Sequence, residues 1–160
     1  MSSKSLWAGV LTLALSPAVM AAGSPSTSRP PPAAPAAHAN DYEQGVKAVQ
    51  ARDFQRALPL FQKVAQADPR NADAWNYIGF SQRKLKHFDE SLAAYQKALA
   101  LNPNHKGALE YMGELYLDLG DMGKAREQLA KLHGLCPTGC SEYDDLNKAV
   151  TASQATQSKN

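Results

Sequence analysis

Three glycines, Gly45, Gly79 and Gly113, recur every 34 residues, and other positions keep the same step. Ala57, Ser91 and Ala125 form a second column, Phe61, Tyr95 and Leu129 a third, and Pro69, Pro103 and Pro137 a fourth. Four columns in one register leave the chain few choices. A unit of this length cannot bury its own apolar face, so it must stack on copies of itself. Such a chain builds an extended surface rather than a single catalytic pocket.

Inside each period the apolar residues step by three and four, as in Leu92, Tyr95 and Leu99, which is helical spacing. Helices are expected at 40–51, 54–67, 72–85, 88–101, 106–119, 122–135 and 141–153. Arg52-Asp53, Lys86-His87 and Gly120-Asp121 separate the two helices of each pair. Asp68-Pro69, Asn102-Pro103 and Cys136-Pro137 close each pair, because a residue before proline is pushed out of the α region. Pro59 falls in the first turns of its helix, where a missing N–H costs little. No strand pattern competes, so the expected class is all-α.

The middle unit reads Ala72-Asp73-Ala74-Trp75-Asn76-Tyr77-Ile78-Gly79, followed by Ser91, Tyr95, Ala98 and Pro103. This resembles a tetratricopeptide repeat (TPR). The third unit matches through Leu109, Met112, Gly113, Tyr116, Ala125, Leu129 and Pro137. The first fits at Gly45, Ala57, Phe61 and Pro69, but Asp41 and Gln44 stand where the family usually has large apolar residues. The resemblance implies three helix-turn-helix repeats, at about 38–71, 72–105 and 106–139, stacked as a right-handed α-solenoid. Ser141 to Ser153 begins a fourth unit and stops; its stripe of Tyr143, Leu146 and Val150 marks a capping helix. The repeat domain is thus expected at 39–153, with a disordered tail over 154–160.

The segments before it have another character. Lys4, a short apolar stretch from Leu6 to Leu15 and the small residues Ala18, Val19, Ala21 and Ala22 describe a secretory signal peptide over 1–21, cleaved after about Ala21. The apolar stretch is roughly half the ~20 residues a spanning helix needs, although an uncleaved anchor is the alternative. Residues 22–38 are rich in Pro, Ala and Ser and read as a semi-rigid spacer, with a Pro-rich docking ligand as the rival reading. The expected location is therefore the periplasm or outside the cell, with no membrane insertion after cleavage. The net charge is +2 with signs intermingled, so a nucleic-acid partner gets no electrostatic support.

In an exported chain the only cysteines, Cys136 and Cys140, read first as a disulfide joining the last repeat to the cap. The competing reading is an accessory thiol-redox or metal-handling factor built on that pair. The spacing is not Cys-x-x-Cys, and His133 would be only a third metal ligand. His38, His87, His105 and His133 are expected to be exposed or to cap helix C-termini. Neither a phosphate-binding glycine loop nor a nucleophile–base pair occurs, so no catalytic residue, cofactor or metal is expected.

The family resemblance implies that the first helix of each pair lines a concave groove that takes peptides. Carried onto this chain, its positions are Tyr42, Val46 and Val49, then Asn76, Phe80 and Arg83, then Glu110, Glu114 and Leu117, with Lys84 and Asp118 flanking. That groove would be apolar at one end, basic in the middle and acidic at the other. Equally, Arg83 and Lys84 could simply pair with Glu114 and Asp118 between repeats. The two-lysine, two-asparagine carboxylate clamp of chaperone-binding relatives is absent. The expected function is a protein- or peptide-binding module, with homodimerisation through the groove or cap as a further reading.

Overall fold

The computed structural model describes residues 35–158. The expected signal peptide and residues 22–34 of the spacer lie outside the described residues. Seven helices follow one another: α1 (Pro35–Gln50), α2 (Phe54–Ala67), α3 (Ala72–Lys84), α4 (Phe88–Leu101), α5 (Lys106–Asp118), α6 (Met122–Leu135) and α7 (Ser141–Gln157). No strand occurs among the described residues. None of the described helices is long and apolar enough to cross a membrane.

Local chemistry explains the five central boundaries. Asp53, Asn71 and Asp121 accept the backbone N–H of Arg56, Ala74 and Lys124 at 3.1, 2.9 and 3.0 Å, each capping the helix that follows. His105 does the same for α5, its Nδ1 accepting from the Ala108 N–H at 3.2 Å. That role at a helix N-terminus differs from the exposed or C-terminal place expected of it. The turns between paired helices put Arg52, Lys86 and Gly120 in the left-handed region, with φ of 60°, 68° and 77°. Only the third turn has glycine there, the residue that conformation suits. Pro59 sits past the unpaired first turn of α2 and removes a regular intrahelical bond, yet the helix runs through it unbroken.

Both ends run further than expected. Helix α1 begins at Pro35 rather than at 40, so the last positions read as spacer are helical. Proline is tolerated at a first helical position, and the alanines after it are strong helix formers. Helix α7 continues past Ser153 to Gln157, into the stretch read as a tail. There the Gln154 amide, oriented with its oxygen toward α6, accepts from Arg126 Nε at 3.1 Å.

Helices α1/α2, α3/α4 and α5/α6 form the pairs, and α7 packs on α5 and α6. The core has two parts. One gathers Phe61, Val64 and Ile78 among buried alanines; the other gathers Tyr95, Leu109, Leu115, Leu132 and Leu146. Trp75 packs against both and joins them, its indole N–H donating to the Pro69 carbonyl at 3.0 Å. The small column is fully buried, and Ser91 Oγ donates across its pair to the Gly79 carbonyl at 2.7 Å. Asp41 and Gln44, atypical by sequence, are half-buried on the first helix. A terminal unit leaves one face without a neighbouring repeat, which removes the need for large apolar residues there.

Candidate binding groove

The inner face of the stack is made by α1, α3 and α5, with α7 closing one side. Positions 42, 76 and 110 are one repeat apart, and the fold brings Tyr42, Asn76 and Glu110 to a single cleft. Tyr77 and Tyr111, the next residues along α3 and α5, form walls of the same cleft. The sequence reading missed these two tyrosines. Their 34-residue spacing was the available signal, but the equivalent place in the first unit is Glu43.

Aromatic contacts run along the face. Tyr77 stacks on Phe61 with centroids 4.6 Å apart, and Tyr42 meets both rings edge-on at 5.6 and 5.8 Å. Phe80 packs against Phe54 at 5.8 Å and Tyr111 at 4.7 Å. Val46, Val49 and Leu117 are half-buried and pack against the two core clusters. Lys84 is exposed and holds its ammonium 5.0 Å from the centre of the Phe80 ring.

Of the two readings open for Arg83, the structure realises pairing between repeats. Arg83 is buried; its Nη1 contacts Glu114, and its Nε donates to Asp118 at 2.6 Å. Burial opposes the charge, but the two carboxylates outweigh it and raise the Arg83 pKa. Arg83, Glu114 and Asp118 thus clamp α3 to α5. The Arg83 charge is thereby answered within the stack, leaving Lys84 as the exposed cation in the middle of the face, while the cleft lined by Tyr42, Tyr77, Tyr111 and Glu110 is aromatic and acidic.

Glu110 is 8 % exposed, and burial followed by the nearby Glu114, Asp145 and Glu142 pushes its carboxyl up to about 8. Burial and the same acidic surroundings raise Tyr111 to about 12. Asn76 is 5 % exposed, and its Oδ1 has no hydrogen-bond partner. The Tyr95 hydroxyl and Ser81 Oγ are likewise buried without partners, but they lie away from this cleft.

At the junction of α6 and α7, Cys136 and Cys140 are joined in a disulfide with Cα atoms 5.8 Å apart. Cys136 is buried, and its backbone N–H closes α6 on the Leu132 carbonyl. Among the described residues no group of three or more His, Cys, Asp and Glu side chains is placed to hold a metal ion. His87 stands at the N-terminus of α4 and bonds Gln82 at 2.7 Å, while the His133 ring lies 5.4 Å from that of Tyr143. The side chain of His38 lies outside the described residues.

Three family profiles, each described as tetratricopeptide repeat, match residues 42–81, 72–105 and 94–127. The chain carries tetratricopeptide repeats. Its fold is correspondingly an all-α TPR stack with a terminal helix. Among curated proteins, a probable UDP-N-acetylglucosamine–peptide N-acetylglucosaminyltransferase SPINDLY from Hordeum vulgare is 36% identical over 73 residues, which are 45% of this chain and 8% of that protein. The chain therefore spans a small fraction of that relative's length. Among solved structures, the first TPR of Spaghetti (RPAP3) bound to the HSP90 peptide SRMEEVD superposes with a TM-score of 0.64 at 22% identity, covering 72% of this chain and 91% of that one. PcrH in complex with the chaperone-binding region of PopD gives a TM-score of 0.67 at 18% identity, over 80% and 96% of the two chains. At these identities the likeness concerns the fold.

Proposed function

We propose that this protein is an exported, non-catalytic TPR module whose inner groove binds a peptide segment of a partner protein, in the periplasm or outside the cell. One observation carries the reading: an aromatic face with a recessed polar cleft, built by α1, α3 and α5 and left open by the packing. Rigid rings supply contact area at low entropic cost, and a few polar groups orient the guest. Two proteins of like fold have been solved with peptide or protein segments bound, which supports the same use here. The export reading rests on the signal-peptide pattern of the first residues and on a cysteine pair suited to an oxidising compartment.

Arg83 is unsuitable as a probe of binding because its loss would leave Glu114 and Asp118 facing each other without a cation. The combined variant Phe80→Ala and Lys84→Glu removes one aromatic contact and reverses one exposed charge instead. It is expected to lose capture of the partner from the native cell envelope while its circular dichroism stays that of the parent. Undiminished capture by the variant moves the binding surface to the outer face or to α7.

A further inference from the structure

The cleft on the inner face is open to solvent, with a volume of about 390 Å³, and its lining is one-sided in charge. Asp73 of α3, Glu110 of α5, and Glu142 and Asp145 of α7 all contribute to it, and no lysine or arginine does. The histidine there does not compensate. His105 Nδ1 accepts the Ala108 N–H, so the proton sits on Nε2, which donates to Asp73 Oδ1 at 2.9 Å. A neutral imidazole satisfies both contacts and adds no positive charge to the cleft.

A second, independent observation points to a guest. Asn76 lines the same cleft, is only 5 % exposed, and its buried Oδ1 has no hydrogen-bond donor. A buried acceptor left unpaired costs about 1–3 kcal/mol, and native interiors seldom tolerate one without a reason. A guest suited to this cleft must donate hydrogen bonds, must be positive to suit the Asp73, Glu142 and Asp145 carboxylates, and must have an apolar stem to lie along the tyrosine rings. A metal ion fits poorly, because the described carboxylates and imidazoles are not grouped closely enough to ligate one.

We propose that this cleft receives the lysine or arginine side chain of a peptide bound in the groove, its cationic head lying beside the Asn76 side chain and the Glu142 and Asp145 carboxylates and its stem lying against Tyr77 and Tyr111. The inference rests on the groove reading and deepens it by naming the anchor. It also gives α7 a second role: the helix that caps the last repeat supplies two of the acids. Cation–π attraction and charge-assisted hydrogen bonds are both strengthened by the partial burial of the site.

The test selects peptides from an unbiased random octamer library against the full chain and measures their affinities by fluorescence polarisation. Selected sequences are expected to share a basic residue at one fixed position. Replacing it by its neutral isostere, citrulline for arginine, should weaken binding at least tenfold. In the Glu142→Gln, Asp145→Asn double variant, whose changed side chains are on the surface of α7, the same replacement should matter less than threefold. Peptides without a fixed basic position, or a citrulline penalty equal in both proteins, overturn the cationic anchor. The groove reading survives that result if Phe80→Ala with Lys84→Glu still abolishes binding of those peptides. A library that yields no binder overturns both.

Discussion

Asn76 and Glu110 occupy equivalent places in successive repeats, and both bury polarity that a scaffold would not need. Their neighbour Arg83 shows the contrast, since its buried charge is answered by Glu114 and Asp118. Glu110 has no such answer, and burial holds its carboxyl at about 8 instead of the usual carboxylate value near 4.5. Between those two values the folded chain keeps a proton that the unfolded chain has lost, so this group lowers stability as pH rises through that window. Above about 8 the penalty is complete. The Glu110→Gln variant should therefore be more stable than the parent at pH 9, by on the order of 1 kcal/mol or more, since each tenfold change in proton affinity is worth about 1.4 kcal/mol. The advantage should shrink toward pH 5. Urea unfolding of both proteins at pH 5, 7 and 9 measures this, and a difference independent of pH would contradict it.

Among elements, the glycine columns show where repetition ends. A Cβ on Gly45 would lie 2.7 Å from the Phe61 ring, and one on Gly79 would lie 2.7 Å from the Tyr95 ring, both within a helix pair. The third glycine breaks the rule. A Cβ on Gly113 would meet Leu146 of α7 at 2.5 Å, so this glycine makes room for the capping helix. Gly113→Ala should cost roughly 1–3 kcal/mol through overpacking. Adding Leu146→Ala should recover part of that loss, giving a coupling energy of at least about 0.5 kcal/mol in a double-mutant cycle by urea unfolding. Simple additivity would place the strain elsewhere. Helices α2 to α6 were legible within about a residue because caps, turns and X-Pro steps are local signals. Gly113 against Leu146, and the extension of α7 held by Arg126, depend on which helices meet in space, which a repeat pattern does not encode.

Across the whole molecule, the 34-residue period made the stack legible, and the positions that differ between repeats pointed to the inner face. The charge of that face was not legible. Whether Arg83 faces a ligand or Glu114 depends on side-chain direction between neighbouring repeats, and the acids of α7 reach the cleft only through the turn that the disulfide at Cys136 and Cys140 closes. Two core clusters joined by Trp75 hold three helix pairs so that α1, α3 and α5 present one surface. The central claim is that this surface is where a peptide binds. The most direct measurement is a titration of the isotope-labelled full chain with a selected peptide, followed by amide and side-chain NMR shifts. Saturable changes should gather at Tyr42, Asn76, Tyr77, Phe80 and Tyr111, leaving the exposed positions of α2, α4 and α6 unmoved; changes centred on those outer helices would contradict the account.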